Sequence, residues 1–453
     1  MSSFLSVLSR LLYQLYETII RGRNTFAYYK EYKGNQRLSA AEIDVLCFSK
    51  IKKLLIYCYK NIPYYQQEWD RLSIDVASFQ SFKDIEKLPF LTKEIINNNY
   101  SDLKSPFYIN DSYIKTTGGS SGVPLKFEFS RESNDRRTAV AWRGYEWAGA
   151  CLGDKTLYLW GGNPTPVPLS GKIKDAIFNF VLRRKMLNSF DMREDNLDYY
   201  ISSINKYKPK VIVAYTTPLF TLAEYIISHD IEIWNGVETV LSAAEALFPF
   251  QAEVIEKAFK ANIHNTYGGR EVMLMASECK ARDGLHLTRD HLYLEVVSHE
   301  GVNLPTVQGE VVVTDLHNYA MPLIRYKNGD LATYGANSCS CELPFPILTA
   351  INGRVLATIK TKNGITLPGE YFPHLIKDFE DISAYQVVQD SLELIELRIK
   401  LKNGVENSNQ VDLLKKIIQE RLDNQVDVKL TYVKELEKTS IGKTLPVISR
   451  LIQ

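Results

Sequence analysis

The sequence predicts an α/β protein with a large N-terminal domain of layered β-sheets and helices and a small C-terminal α+β domain. Strand-like and helix-like segments alternate between residues 155 and 271, which is typical of a parallel sheet covered by helices. The last hundred residues instead follow a β-β-α-β order. A length of 453 residues also fits more than one domain. We therefore expect a large domain over residues 1–352 and a small domain over residues 353–453.

The first 24 residues are predicted to form an amphipathic helix. Their apolar side chains recur at helical spacing, at Leu5, Leu8, Leu12, Leu15 and Ile19. Arg10 interrupts the apolar run and no small-residue cleavage site follows, so the pattern does not indicate a secretory signal. The amphipathic pattern alone favours a helix packed on the core or on a partner. The alternative is peripheral membrane contact through residues 4–20, assisted by Arg21 and Arg23.

The following elements alternate along the chain. Within residues 40–69 a helix is predicted that ends before Pro63. The stretch LPFLTKEIINNN (88–99) predicts an extended segment and then a helix capped by Thr92. A further helix is expected to end at Gly153. The remaining predictions are a strand at 155–162, strand–turn–helix at 207–228, a strand and turn at 237–247, helix–strand–turn at 251–271 and a β-hairpin at 309–335.

Composition excludes several classes of protein. The formal net charge of +1 and pI near 7.6 argue against a dedicated nucleic-acid binder, which needs a basic excess. No stretch has the roughly 20 uninterrupted apolar residues of a membrane span. Because no export signal is evident, we expect the six cysteines to be reduced in a cytoplasmic protein.

The stretch KTTGGSSGVPL, residues 115–125, concentrates glycines and hydroxyl side chains beside a lysine. Glycines allow a backbone to approach a ligand closely, and successive N–H groups of such a turn bind anions. The stretch predicts a phosphate-binding loop, with a flexible surface loop as the alternative. It is not a Walker motif, because no Gly-Lys-Ser/Thr closes it.

Four further motifs follow in a fixed order: NTYGGRE (265–271), IRYKNGDLATY (324–334), NGR (352–354) and EKTSIGKTLPV (437–447). Together with NIPYYQQEW, LPFLTKEII, AYTTPLFTLA and SAAEAL, this ordered set resembles the adenylate-forming enzymes from about residue 40 to the end. Within them it is similar to the branch of phenylacetate–CoA ligases and CapK-like proteins of capsular polysaccharide biosynthesis.

The resemblance implies an AMP-forming ligase. A carboxylate attacks the α-phosphate of ATP to give an acyl-adenylate and pyrophosphate, and a second nucleophile then displaces AMP. Such chemistry requires charge neutralisation along the phosphates, a Mg²⁺ ion and exclusion of water by a mobile C-terminal domain.

The resemblance also implies residue roles. The phosphate loop would comprise Thr116, Thr117, Gly118, Gly119, Ser120, Ser121 and Gly122. The remaining nucleotide contacts would come from Ala243, Ala244 and Glu245 along the adenine, Tyr267 and Gly268 beside the nucleotide, Asp330 on the ribose and Arg325 before it in the same strand. Glu271 would hold Mg²⁺, and Lys443 would meet the α-phosphate and the carboxylate. Glu245 as a surface charge and Trp142 and Trp160 as core rather than pocket residues remain open alternatives.

Two departures from the family pattern concern the hinge and the glycine turn. No acidic residue occurs from 355 to 364, where the family often has one soon after Gly-Arg. In YGGRE, Arg270 occupies a position that is commonly small and polar. A basic group there could pair with an anionic substrate or with Glu271.

A zinc site is predicted from Cys279, His286, Cys339 and Cys341. Three thiolates and one imidazole complete the tetrahedral set that structural zinc prefers. The alternative is two unrelated buried thiols and an exposed CSC run. Some members of the branch that the sequence resembles carry a Cys/His cluster in the same two segments, which favours zinc.

The acceptor remains open at this level. The resemblance favours an amine or sugar acceptor in surface polysaccharide biosynthesis, with coenzyme A and an aryl or acyl thioester as the alternative. A catalytically inactive binding or scaffold protein on the same fold is the alternative of another class.

Overall fold

The computed structural model of the protein describes residues 2–117, 125–161, 169–189, 192, 194–243, 245–335, 339–354, 359–362, 366–367, 371–376, 379, 381–401, 409–437, 445 and 447–451. The chain divides into two compact units. Unit 1 comprises Met1–Lys115, Phe127–Asn328 and Ala332–Ile351. Unit 2 comprises Thr116–Lys126, Gly329–Leu331 and Asn352–Gln453, so it takes in two short segments that the sequence did not assign to the C-terminal domain.

The helices up to residue 351 are α1 Ser2–Leu15, α2 Thr25–Asn35, α3 Ala40–Asn61, α4 Pro63–Arg71, α5 Phe82–Ile85, α6 Lys93–Asn98, α7 Arg131–Trp147, α8 Leu169–Val181, α9 Leu197–Tyr207, α10 Thr216–Ser228 and α11 Pro249–Phe259. The strands that begin in this part are β1 Ser112–Thr117, β2 Leu125–Ser130, β3 Thr156–Trp160, β4 Arg184–Asn188, β5 Val211–Tyr215, β6 Thr239–Ala243, β7 Ile263–Gly269, β8 Met273–Glu278, β9 Leu285–Leu287, β10 Leu292–Val297, β11 Gln308–Asp315, β12 Tyr326–Tyr334 and β13 Ile347–Arg354.

Eleven strands of the described chain form one sheet, in the order β10-β11-β12-β13-β9-β8-β7-β6-β5-β3-β4. Strands β4, β3, β5, β6 and β7 run parallel, whereas β7–β8, β8–β9 and β9–β13 are antiparallel. The buried runs of β5 and β6 fit a sheet covered on both faces. This arrangement confirms the predicted α/β class and brings the carboxyl ends of the parallel strands to one edge.

Local signals explain several helix ends. Ser39 and Glu42 form the capping box that begins α3, and Thr92 accepts a hydrogen bond from Ile95 N at the start of α6, as predicted. Helix α7 ends at Trp147, six residues before the predicted end at Gly153. The earlier end follows from Gly149, whose φ of 98° stops the helix.

The apolar stripe of the N-terminal helix does not pack on the core, which was one half of the favoured prediction of a helix packed on the core or on a partner. The apolar residues that defined the pattern are all exposed, at 43% for Leu5, 40% for Leu8, 45% for Leu12, 53% for Leu15 and 73% for Ile19. The side that faces the protein carries Tyr13, which packs against Trp142 and Phe178 at ring-centroid distances of 5.5 and 5.7 Å. Trp142 is thus a packing residue beneath α1, as favoured over an acyl-pocket role. No helix in the described part of the chain has the length and apolar character needed to cross a membrane.

The C-terminal part contains β14 Ile359–Lys360, β15 Thr366–Leu367, α12 Tyr371–Ile376, β16 Ile382–Gln389, β17 Leu394–Leu401, α13 Asn409–Arg421, β18 Asp427–Tyr432 and β19 Val447–Ser449. Four of these strands form a sheet in the order β18-β17-β16-β19. Strand β17 is antiparallel to β16 and parallel to β18. Apolar residues of α13, including Val411, Leu414 and Ile418, are buried in the same core cluster as those of the sheet. The predicted β-β-α-β order is confirmed.

Candidate active site and metal centre

The carboxyl edge of the parallel strands carries the polar groups of the candidate active site. Strands β3, β5, β6 and β7 end at Trp160, Tyr215, Ala243 and Gly269. Open α/β sheets bind ligands at this edge because the strand ends and the following helix starts leave backbone and side-chain groups facing one crevice. This topology brings the predicted residues of YGGRE to the same edge, together with Ala243 and Glu245.

Hydroxyl groups link the ends of three neighbouring parallel strands. The Thr216 and Ser242 hydroxyl oxygens lie 2.6 Å apart, and Thr266 Oγ1 donates to Ser242 O at 2.6 Å. Glu245 Oε2 accepts a hydrogen bond from Thr217 N at 2.7 Å, so this carboxylate sits at the N-terminus of α10. These hydrogen bonds therefore hold the carboxyl ends of the three strands in place relative to one another.

Two aromatic rings lie beside these hydrogen-bonded residues. Trp160 and Tyr215 are half-buried, with ring centroids 4.5 Å apart. Burial raises the pKa of Tyr215, and the Glu245 carboxylate adds to the rise while the Arg270 guanidinium opposes it. Desolvation lowers the pKa of Lys115, and the Arg137 and Arg270 guanidinium groups lower it further.

The turn between β7 and β8 positions the predicted Mg²⁺ ligand. A Cβ on Gly268 would stand 2.2 Å from Met273 O, so only glycine allows the two strands to approach this closely. The pairing register shifts between Tyr267 and Gly268, and such bulges re-aim the side chains next to them. Glu271 lies in this turn and is half-buried.

Tyr326 and Asn328, which the sequence analysis did not single out, hold the two predicted residues of this turn. Tyr326 Oη donates to Glu271 Oε1 at 3.3 Å, and Asn328 Nδ2 donates to Tyr267 Oη at 2.9 Å. Glu271 Oε2 lies 3.0 Å from the place where a Cβ on Gly269 would be. The absence of that Cβ leaves room beside the oxygen that Tyr326 does not hold.

Arg325 departs from its predicted role as a nucleotide-binding residue. It is 2% exposed and donates from Nε and Nη2 to the Glu295 carboxylate, at 3.0 and 2.8 Å. Its Nη1 donates to Glu86 O and Leu88 O, at 2.8 and 2.7 Å. Because these contacts occupy the guanidinium in the interior, Arg325 has a structural role here.

Arg325 also explains the LPFLTK motif. Leu91 N donates to Arg325 O at 3.0 Å, and Lys327 N donates to Leu91 O at 2.9 Å. The extended segment therefore pairs with the beginning of β12 and holds Tyr326, which lies between the two bonded residues. The motif therefore supports the site through these backbone contacts.

The remaining predicted nucleotide residues are placed only in part. Asp330 lies half-buried in β12, after Gly329 with its φ of 85°. The backbone of Thr116 and Thr117 ends β1. Five residues of the predicted phosphate loop, together with Ala244 and Lys443, lie outside the described residues.

The four predicted metal ligands converge at one place in unit 1. One donor atom from each of Cys279, His286, Cys339 and Cys341 lies within 4.8 Å of the others. Cys279 follows β8, His286 lies on β9, and the two other cysteines lie between β12 and β13. The cluster therefore excludes the alternative of unrelated thiols.

The cluster has the donor geometry that a tetrahedral ion needs. Cys279 Sγ and Cys339 Sγ are 3.5 Å apart, and Cys341 Sγ is 3.2 Å from His286 Nε2. Zn–S bonds of about 2.3 Å place sulfur atoms about 3.8 Å apart around a tetrahedron. His286 Nδ1 lies 3.2 Å from Phe345 O, and donation to this carbonyl leaves the Nε2 lone pair facing the sulfurs.

Neighbouring groups support the metal cluster. Asp283 Oδ2 accepts from Ser340 N at 2.8 Å and from Ser340 Oγ at 2.6 Å, which ties the CSC turn to the β8–β9 turn. Ala281 N donates to Cys279 Sγ at 3.3 Å. Without an ion, desolvation raises the pKa of Cys339 to about 12, and a bound cation would favour the thiolate. The residues present therefore fit a structural zinc ion.

Comparison with known proteins shows similarity to CapK and to proteins named phenylacetate–coenzyme A ligases. Residues 359–450 match the CapK C-terminal domain family. The chain is 24% identical over 438 residues to protein CapK of Staphylococcus aureus, covering 94% of this chain and 92% of that protein. It is 23% identical over 443 residues to a phenylacetate–coenzyme A ligase of Thermus thermophilus, covering 91% and 93%.

The fold comparison agrees. A crystal structure of 2-hydroxyisobutyryl-CoA ligase in the postadenylation state superposes with a TM-score of 0.71 at 17% identity, over 92% of both chains. The resemblance stated from the motifs is thus confirmed: the chain is a homologue of CapK and of the phenylacetate–CoA ligases, and it has the fold of the adenylate-forming ligases.

Proposed function

We propose that this protein is an ATP-dependent ligase that activates a carboxylic acid as its acyl-adenylate and transfers the acyl group to a second nucleophile. The observation that carries the proposal is the placement of Glu271 at the carboxyl edge of the sheet, held by Tyr326 and adjacent to Tyr267. The likeness to a phenylacetate–coenzyme A ligase along 91% of the chain supports it.

The proposed reaction has two steps. A carboxylate oxygen of the acid attacks the α-phosphorus of ATP, and the bond to the bridging oxygen breaks to release pyrophosphate. The acceptor then attacks the acyl carbon, loses its proton and displaces AMP. Both steps build negative charge on oxygens, so fixed donors and cations around the phosphates lower the barriers.

The proposed roles follow the order of the chain. The loop of residues 116–122 would hold the phosphates, residues 243–245 and 267–268 would lie along the nucleotide, and Asp330 would accept hydrogen bonds from the ribose. Lys443 would donate to the α-phosphate and the acid. Glu271 would hold Mg²⁺, which neutralises phosphate charge when bound, through the carboxylate oxygen that Tyr326 leaves open. Arg325 is left out because its guanidinium is committed to Glu295.

Zinc and compartment form a second part of the proposal. We infer that Cys279, His286, Cys339 and Cys341 bind one structural zinc ion that joins the β8–β9 turn to the segment before β13 and takes no part in the reaction. The six cysteines are free thiols, which suits the reducing cytoplasm in which we place the protein.

For the acceptor we favour an amine or a sugar in surface polysaccharide biosynthesis. The match of residues 359–450 to the CapK C-terminal domain supports this choice. Coenzyme A is the alternative, since several relatives are named phenylacetate–coenzyme A ligases.

Exchange of labelled pyrophosphate into ATP tests the proposal. Purified protein is offered a panel of aryl, fatty, amino and uronic acids, with and without coenzyme A. Exchange with one acid class, lost in Lys443→Ala and kept in the exposed-lysine control Lys434→Ala, is the expected result. An absence of exchange across the whole panel would favour the inactive scaffold. Thioester formation that requires coenzyme A would instead identify an acyl–CoA ligase.

A further inference from the structure

The N-terminal helix presents a broad apolar face to the outside. Together with the π-helical turn Tyr16–Ile20, α1 exposes nine large apolar side chains: Phe4, Leu5, Val7, Leu8, Leu11, Leu12, Leu15, Ile19 and Ile20. At 100° per residue, those of α1 fall within one arc of about 160°. Patches of this extent are unusual on monomeric soluble proteins and mark surfaces that bind something.

The opposite side of the same helix is fixed to the protein. Ser9 Oγ donates to Val181 O at 2.5 Å, and Glu17 is fully buried in an ion pair with Arg23 at 2.9 Å. A Cβ on Gly153 would lie 2.3 Å from Ser6 O, so the helix backbone rests directly on this glycine. The apolar face therefore belongs to a helix whose inner side is already packed on the protein.

The apolar surface continues onto α8. Ile177 is 61% exposed and Phe180 is 83% exposed. Phe178, between them, contacts Tyr13 and Tyr16 at ring-centroid distances of 5.7 and 5.9 Å. Two adjacent helices thus contribute to one apolar surface.

The charges around this surface are mostly positive. Among residues 4–22, whose side chains the structure describes, Arg10 and Arg21 are exposed and the one acidic group, Glu17, is buried. Arg21 Nη1 lies 3.9 Å from Glu17 Oε1, at the long end of an ion pair. Arg183 lies at the same border, donating from Nη1 to Ser6 Oγ at 2.8 Å. Asp175 on α8 is the exposed acidic residue nearby in sequence, so arginines prevail around the apolar arc.

We propose that the apolar face of α1, extended by Ile177 and Phe180, docks on the surface of an anionic phospholipid bilayer. Apolar side chains would enter the boundary between headgroups and acyl chains, while Arg10 and Arg21 would meet lipid phosphates. A symmetric contact with a second copy fits less well, because the same patch would face itself and bring arginines together with few carboxylates to pair them. This inference does not depend on the proposed ligase activity.

Vesicle co-sedimentation of the full-length protein tests the proposal. Vesicles of phosphatidylcholine alone and vesicles that also contain phosphatidylglycerol are the two probes. Binding should be stronger to the anionic vesicles and should weaken as salt rises. Leu11→Glu should weaken binding roughly tenfold or more, since a charge replaces a leucine that would be buried in the bilayer. The matched control is Leu413→Glu on α13, at an exposure of 52% against 53% for Leu11, and it should bind like the wild type.

A double variant separates the contribution of charge to vesicle binding from that of apolar contact. Arg10→Gln with Arg21→Gln should lower binding to anionic vesicles by roughly fivefold per arginine and leave binding to phosphatidylcholine unchanged. Sedimentation velocity without lipid identifies the competing occupant. A wild-type dimer that Leu11→Glu converts to a monomer, with no vesicle binding by either, would overturn the proposal in favour of a second copy. A monomer that binds neither vesicle would overturn it as well.

Pyrophosphate exchange is measured on the same Leu11→Glu protein. Leu11 lies on an exposed helix face and is not among the residues proposed to act on ATP, so exchange should match the wild type. Retained exchange with lost vesicle binding supports membrane docking. Vesicle binding by a wild-type protein that shows no exchange would contradict the ligase and leave the membrane inference standing.

Discussion

Two uncharged residues, Tyr326 and Gly269, position the carboxylate of Glu271. Its Oε1 accepts a hydrogen bond from the Tyr326 phenol, and Gly269 leaves space beside Oε2. A carboxylate held in this way keeps its negative charge available for a cation, whereas an arginine partner would neutralise it. Glu295, fully buried against Arg325, shows the other arrangement in the same unit.

Replacing the carboxylate of Glu271 by an amide tests this role. We expect Glu271→Gln to slow pyrophosphate exchange by about 10²–10³, the usual loss when one charge-stabilising group is removed from an active site. Exchange is assayed at saturating ATP and acid over a range of Mg²⁺ concentrations. Glu300→Gln, at an exposed turn, is the control and should leave exchange unchanged. Wild-type exchange in Glu271→Gln would remove the proposed role.

Tyr326→Phe isolates the orienting hydrogen bond. The ring stays and only the hydroxyl is lost, so a loss of about 1 kcal/mol, or roughly fivefold, is expected in the apparent affinity for Mg²⁺. Because Tyr326 acts through Glu271, the effect should appear in the Mg²⁺ concentration at half-maximal exchange more than in the rate at saturating Mg²⁺. An unchanged Mg²⁺ dependence would show that the bond is dispensable.

Glu271 can be proposed from the sequence alone, whereas the residues that contact it cannot. The motif YGGRE is local, so the glycine turn and the acidic residue could be read together. Tyr326 and Asn328 are more than 50 residues away from the groups that they contact, and only the fold brings them there. The same limit explains Arg325, whose conformation and partners depend on the distant Glu295 and Leu88.

At the scale of elements, hydrophobic spacing predicted that α1 is a helix but not which way it faces. The apolar stripe would normally be buried, yet it faces outward, because Tyr13, Ser9 and Glu17 satisfy the inner side. The pattern contains no information on which stripe meets the protein, since that depends on the shape of the surface beneath. The Cys/His cluster was easier to predict, because a full ligand set restricts the arrangement strongly.

The metal centre gives a prediction at this scale. Protein purified without chelator should contain about one zinc per chain by mass spectrometry, and Cys341→Ser should lose most of it. The melting temperature of Cys341→Ser should fall by roughly several degrees, because the two joined segments are released. Cys151→Ser is the control, since Cys151 is exposed and outside the cluster. A full complement of zinc in Cys341→Ser, or none in the wild type, would contradict the site.

At the scale of the whole molecule, unit 1 is held together by buried ion pairs that cross between helices and the sheet. Arg143 on α7 donates to both oxygens of Asp290, at 2.6 and 2.8 Å, and both side chains are fully buried. Asn35 of α2 donates to the same carboxylate at 2.8 Å. Burial alone would raise the pKa of Asp290, but the Arg143 guanidinium, the Asn35 hydrogen bond and the Lys50 charge together hold the pKa below its usual value.

Loss of Arg143 should therefore destabilise the protein in a pH-dependent way. Arg143→Met leaves a buried carboxylate without its cation, which costs about 3–5 kcal/mol at neutral pH. In the wild type, the stabilisation from Asp290 is complete above the unfolded-state pKa and is lost as pH falls through the lower folded-state pKa. In the variant, burial raises the pKa, so lowering the pH protonates the carboxylate and relieves the penalty.

Urea unfolding at several pH values between 7 and 4 measures this difference. The gap in unfolding free energy between wild type and Arg143→Met should be widest at neutral pH and narrow towards acid pH. Arg71→Met removes an exposed ion pair with Glu68 and should change little at any pH. A gap that stays constant with pH would show that Asp290 is not the group left unpaired.

The position of the cysteine cluster has a consequence for how the protein ages. Cys279 and Glu271 lie beyond opposite ends of β8, a strand of six residues that is about 20 Å long. Oxidation of these thiols to disulfides by air would displace the ends of β8 and β9. The groups proposed to bind ATP would stay chemically intact. Stored samples would then lose turnover through damage far from the reaction, and a reductant added with fresh zinc would restore it.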